Sequence, residues 1–270
     1  MRPVSFVSFA LACALSALSP RAAAAQMESE SNLVLTILGG TVTGHALWAV
    51  AKQPLTVLGN PTLYDTLALS RSIGSSLVLG VAGTYFLSSH VGLHGEVSYL
   101  GLPIDSDCRG LFYNADAEDK NEQLCDNIAA QRPEGGAIAI FGGVTIRAVS
   151  RRAFSPYLAG RLGIVNHPRS TLAMDGGFVT SAGPQSRLVI VDDNPRATSV
   201  MVGAAAGFTT PLGPGYQLRL EARDAVLSLD RLIGPANALG TGPSASRTYH
   251  HFALTLGLDV VLERKRGRRY

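Results

Sequence analysis

Charged residues in this chain sit at alternate positions within segments that are otherwise apolar or small. Glu96, Arg147, Arg161, Arg219, Glu221, Arg223 and Asp259 are of this kind, and in a strand such spacing puts them on one face. Inside a narrow interior they could line a conducting path, hold a reactive group, or pair into a plug. An unpaired buried charge is costly, so the presence of both signs points to pairing. Cys108 and Cys125 are a second candidate pair. A metal site would need more ligands nearby, whereas an exported chain favours a disulfide, worth about 3 kcal/mol for a loop of this length in the chain-entropy model.

The histidines are His45, His90, His94, His167, His250 and His251. A hydrolase would pair one of them with a serine, and no His-x-Ser companion follows His250-His251-Phe252. These two are therefore read as polar residues near a rim, and the chain is expected to be neither an enzyme nor a holder of a metal or cofactor. Asp105, Asp107, Asp116, Glu118, Asp119, Glu122 and Asp126 make one stretch acidic. It lacks the glycine and spacing of a recognised calcium loop, so it reads as a solvated surface loop.

The elements that must position these groups are eight alternating segments, at about 33 to 48, 72 to 87, 90 to 101, 136 to 149, 155 to 166, 197 to 211, 215 to 229 and 248 to 263. Links after the second, fourth and sixth are tight (Leu87 to His90, Ser150 to Ser155, Leu212 to Gly215); the other links are long and polar. Short turns on one rim and long loops on the other are what a membrane barrel needs, with both chain ends on the short-turn side. The expected fold is all-β: an eight-stranded antiparallel up-and-down transmembrane β-barrel with short periplasmic turns and long extracellular loops.

Parity then assigns faces. Leu77, Leu79, Val81 and Tyr85 share one face of the second segment; Leu93, Val97 and Tyr99 oppose His94, Glu96 and Ser98 in the third. Leu158, Leu162 and Ile164 oppose Arg161 in the fifth, and Phe252, Leu254, Leu256, Leu258 and Leu262 oppose Thr255, Gly257 and Asp259 in the last. A soluble barrel would show the same period with the apolar face inward. Two features decide for the outside. Aromatics on the aliphatic face fall at strand ends, Tyr85, Phe208 and Tyr216 at the short-turn rim and Tyr99 and Phe252 at the long-loop rim, as in interfacial girdles. The other face is crowded with Gly, Ala, Ser and Thr, as a narrow lumen would be. The first and sixth segments do not alternate cleanly.

Composition agrees. Residues 1–25 combine Arg2, an apolar run from Val4 to Leu18 and Ala23-Ala24-Ala25, which fits a signal peptide cut before Gln26. Cys13 lacks the large aliphatic residue of a lipoprotein site three places before it. Beyond the leader no stretch reaches the roughly 18 to 20 apolar residues of a spanning helix, yet 46% of the chain is hydrophobic and only 16% charged. A membrane chain without helices must close its sheet, because hydrocarbon tolerates no free edge. Residues 26–270 read as one domain. The charge of +3 is carried by a basic tail, Arg264 to Arg269, so it argues for no nucleic-acid partner.

On this pattern the mature chain resembles the small eight-stranded outer-membrane barrels of Gram-negative bacteria, the OmpA-like and OmpW-like families. The resemblance implies a place in the cell outer membrane, contact with its lipids and lipopolysaccharide, insertion by the barrel-assembly machinery, and a monomer. Such barrels commonly end in an aromatic residue; Tyr270 is terminal, but basic residues precede it where apolar ones are usual. The expected function is a structural or surface-interaction role with a largely occluded lumen. A narrow channel for small solutes and a lipid-modifying hydrolase are the alternatives.

Overall fold

The computed structural model describes residues 33–57, 60–114, 119–132, 134–148, 154–166, 173–191 and 198–262. The expected leader, the tail from Arg264 to Tyr270, Asp116, Glu118 and His167 lie outside the described residues.

Among the described residues there are twelve strands and one helix. They are β1 (Leu33–Val42), β2 (His45–Val57), β3 (Asn60–Ile73), β4 (Ser76–Phe86), β5 (Val91–Phe112), α1 (Lys120–Ala130), β6 (Glu134–Arg147), β7 (Ser155–Asn166), β8 (Met174–Thr180), β9 (Gly183–Ile190), β10 (Thr198–Gly213), β11 (Tyr216–Leu232) and β12 (Ser244–Leu262). Eight of them close a ring of antiparallel pairs in the order β1-β4-β5-β6-β7-β10-β11-β12, with β12 returning to β1. Closure leaves no free edge at this level, and Ile37 of β1 sits in register between Leu258 and Val81.

The aliphatic parity faces outward. Leu79, Val81, Leu93, Val97, Ile140, Leu158, Leu162, Leu254 and Leu256 are all exposed, while Thr36, Thr84, Glu96, Arg161, Glu221 and Asp259 on the alternate positions are buried. A soluble barrel would have reversed this. The outward run from Phe252 to Leu262 on β12 covers eleven residues, roughly 34 Å from the first to the last. At a tilt of about 40° this leaves about 26 Å of height, close to the apolar band of about 25 Å around outer-membrane barrels. On β5 the same parity changes character above Tyr99, where Asp105, Asp107 and Arg109 replace the aliphatic residues. The first strand alternated poorly because it is apolar on both faces: Val34, Leu38 and Val42 are buried opposite exposed Leu35 and Ile37.

The long links differ from the polar loops expected of them. The first strand ends at Val42 rather than at residue 48, and after Thr43-Gly44 the chain starts β2. Backbones come close here, since a Cβ on Gly44 would lie 2.3 Å from the Ile73 carbonyl oxygen. β2 pairs with β3, and β3 with an outer extension of β5 that runs beyond residue 101 to Phe112. The acidic stretch contains α1, whose Asn121, Leu124, Cys125 and Ile128 are buried at helical spacing. β8 and β9 form a further hairpin. Together these segments build a cap over the long-loop rim, with a core that includes Trp48, Leu67, Leu69, Leu124, Ile128, Met174 and Ile190 and continues into the barrel through Phe141, Met201 and Tyr249. The described parts of these long links are held by that shared apolar core.

Candidate functional site

The interior of the barrel carries a dense group of paired charges. Arg161 of β7 places Nη2 2.7 and 2.6 Å from the two Glu221 carboxylate oxygens, and Nη1 3.2 Å from Glu96. Arg223 of β11 reaches Glu96 at 2.7 Å and Glu221 at 2.8 Å. Two arginines and two glutamates thus alternate in a closed ring. β5 and β11 stand opposite each other in the eight-strand order, so the Arg223–Glu96 contact crosses the lumen. Toward the short-turn rim Arg219 grips Asp259 through Nε and Nη2, both at 3.0 Å, and Thr36 donates to the same carboxylate at 2.7 Å.

Neutral side chains complete the ring. The Tyr157 hydroxyl donates to Glu221 at 2.7 Å, and His94 approaches Glu96 at 3.4 Å while its other ring nitrogen meets Thr84 Oγ1 at 3.0 Å. Tyr157 can cross β10 because the residue between it and Glu221 in register is Gly207. A Cβ there would lie 2.7 Å from the tyrosine oxygen. Tyr157, Thr84, His94 and Thr36 share the parity of the charges, which is the sequence signal that would have found them.

Arg147 faces the interior at its short-turn end, lining the same small cavity as Arg219 and Asp259 and lying outside the ring of Arg161, Glu221, Arg223 and Glu96. At the short-turn rim its Nε donates to the Ser89 carbonyl at 2.6 Å and its guanidinium lies 3.8 Å over the Phe86 ring. Parity gives its face correctly and says nothing of its height. The expected girdle residues Tyr85, Tyr99, Tyr216 and Phe252 are exposed on the outer face, and Phe208, partly covered, stacks on Phe154 at 4.8 Å.

Cys108 and Cys125 are bonded, tying α1 to the β5 extension. Within the cap Arg71 is buried, donating to the Ala173 carbonyl and to Ser106. Burial lowers its guanidinium to about 10, with Asp175 opposing that shift. Asp65 is buried too and accepts from the Asn114 backbone and the Asn121 amide, both at 2.7 Å.

Three of the histidines lie near where the cap joins the barrel, and two of them are in contact. His250 contacts Asp224 at 2.9 Å on the exposed side, while the rings of His45 and His251 meet edge-on at 4.5 Å. An aspartate thus lies within reach of His250, which is the contact the hydrolase alternative requires, and a carboxylate in that position orients the imidazole. Among the described residues no group of three or more His, Cys, Asp or Glu could hold a metal ion.

The sequence matches no family model and no curated protein. Among solved structures the chain is similar to Neisserial surface protein A, at 14% identity and a TM-score of 0.38 over 85% of this chain and 96% of that one. It is similar to the outer membrane protein OprG from Pseudomonas aeruginosa, at 10% identity and a TM-score of 0.46 over 87% and 97%. It is also similar to the outer membrane protein AlkL, at 14% identity and a TM-score of 0.41 over 90% and 94%. The architecture itself rests on the strand pairing of this chain, which closes an eight-stranded antiparallel barrel with an apolar outer face and a charged interior.

Proposed function

We propose that this protein is an outer-membrane barrel with an occluded lumen, serving a structural or surface-interaction role through its cap. The observation that carries the reading is the contact between Arg223 and Glu96 across the lumen, reinforced on either side by Arg161 and Glu221. An eight-stranded interior is wide enough only to be filled by side chains or to hold one small ligand, and a ring of paired charges fills it. The cavities on either side of the ring are small, about 40 Å³ toward the cap and about 20 Å³ toward the short-turn rim.

The apolar belt would contact outer-membrane lipids and, on the cap side, lipopolysaccharide, with the barrel inserted as a monomer by the assembly machinery after export. Purified protein in planar bilayers is expected to give little or no steady conductance, because hydrated ions cannot pass a ring whose charges already satisfy one another. A large, stable, ion-selective current from the unmodified protein would overturn the occluded reading in favour of a narrow channel.

A further inference from the structure

The joint between cap and barrel is made of side chains whose hydrogen-bonding capacity is left unused. Both ring nitrogens of His45, at the start of β2, are shielded from solvent and find no hydrogen-bond partner among the described residues, nor does Nε2 of His251 on β12. The rings touch edge-on with centroids 4.5 Å apart, and His45 also lies 4.9 Å from the Tyr249 ring. Tyr249 in turn donates to the Leu47 carbonyl at 2.6 Å, so this cluster is where β2 is fastened to the barrel wall. Such a contact suits neutral imidazoles. With protons on both rings it would hold two like charges in contact, away from water.

The surroundings offer little to offset those charges. The titratable and charged groups around the pair are Tyr249, His250 and Arg247 on β12, Asp224, Arg223 and Arg231 on β11, and Arg161 on β7. Asp224 is the acid of this set; one of its oxygens is engaged by His250 and the other is shielded without a hydrogen-bond partner among the described residues, so it is the single group that offsets part of a charge on His251. Of the four arginines, Arg161 and Arg223 are committed to the glutamates of the ring and face the same small cavity as His251. On the cap side Arg71 lies 6.0 Å from the Trp48 ring. We propose that the His45–His251 pair is an acid-sensitive latch, which holds β2 against the barrel mouth while both rings are neutral and releases it when they take up protons.

The sign follows from burial. Desolvation lowers the His45 pKa below the ordinary 6.5 in the closed state, whereas a released, hydrated imidazole returns toward that value. Proton uptake therefore favours the open state, and the latch holds fully above about pH 6.5 and weakens as pH falls further. The break at Thr43-Gly44, where β1 leaves the ring, is the place for the movement to hinge. The ion-pair ring lies deeper in the lumen, so release of the latch bares the cavity above it without opening a pore.

The protein carries its own reporter, because its single tryptophan is Trp48, three residues from His45 and 3% exposed. Lowering the pH of the folded protein in detergent or lipid from about 7 to about 5, the range in which imidazole titrates, is expected to shift Trp48 emission reversibly to the red. The barrel should keep its folded electrophoretic mobility throughout. His45→Phe and His251→Phe, which keep a ring but take up no proton, are expected to hold the blue emission across the same range. Hydrogen exchange of the unmodified protein gives a second reading if either variant fails to fold: corrected for intrinsic rates, protection in β2 should fall at the lower pH while β4, β6 and β7 keep theirs. Constant emission with unchanged β2 protection, or a red shift that persists in both variants, would overturn the latch.

Discussion

The barrel interior and the cap both bury their side chains, and they do so by opposite means. In the lumen the ring strands fix the backbone, so the side chains can be long, charged and paired across the space, as Arg161, Glu221, Arg223 and Glu96 are. In the cap there is no closed sheet to fix anything, and order comes from apolar burial around Leu67, Leu124 and Ile128, one disulfide, and two buried polar clamps at Arg71 and Asp65. A rigid frame makes buried charge affordable; a frame assembled from loops has to be built mostly of hydrocarbon. The two regions should therefore fail differently.

The sharpest way to break this comparison is Glu221→Gln. It leaves Arg161, Arg223 and the Tyr157 hydroxyl with one charged partner fewer inside the barrel, and breaking a buried pair from one side costs about 3 to 5 kcal/mol. The temperature at which the barrel loses its folded gel mobility should drop accordingly. An unchanged transition would mean that the ring is not holding the lumen.

The next effect belongs to the cap. Reduction of Cys108–Cys125 should remove up to about 3 kcal/mol of loop constraint, yet the loss should be confined to α1, the β5 extension and the hairpin they support. Thiol titration of denatured, unreduced protein should find both cysteines blocked, and after reduction limited proteolysis should cut within the cap while the barrel remains folded. Global unfolding on reduction would show that the two regions are one cooperative unit.

The smallest effect serves as the control. Arg132 and Asp105 form an ion pair at 3.1 Å whose side chains are 61% and 48% exposed, a setting in which such pairs contribute about 0 to 1 kcal/mol. Asp105→Asn should leave thermal stability nearly unchanged and insensitive to salt. If it costs as much as Glu221→Gln, burial is not what separates the two kinds of pair.

Much of the barrel was legible because the relevant signals are local. Leu254, Leu256 and Leu258 alternate with Thr255, Gly257 and Asp259 whatever the rest of the chain does, and in the structure the first set is outside and the second inside. The short turns were equally local: Gly215, with φ at +78°, sits where a tight link between β10 and β11 needs a left-handed residue. The β2–β3 hairpin was not legible. Its residues do not alternate strictly, Leu47 and Trp48 are buried side by side, and its register carries three irregularities, so the period-two signal that marks the ring strands is missing.

The sequence by itself determined which residues meet the outside of the barrel and which the inside, where the chain turns tightly, and which charges were available to the lumen, since each of these follows from the alternation of side chains along one strand. Only the tertiary structure decided which charges meet. Glu96 and Arg223 are 127 positions apart on strands that are not neighbours, and parity says nothing of height or azimuth in a closed barrel. It sent Arg147 to the rim, admitted Tyr157 to the ring through the gap at Gly207, and brought His45 against His251. The physical reason is the same in each case: a strand fixes the direction of its own side chains, while the distance between side chains on distant strands is fixed by closure and register of the whole sheet.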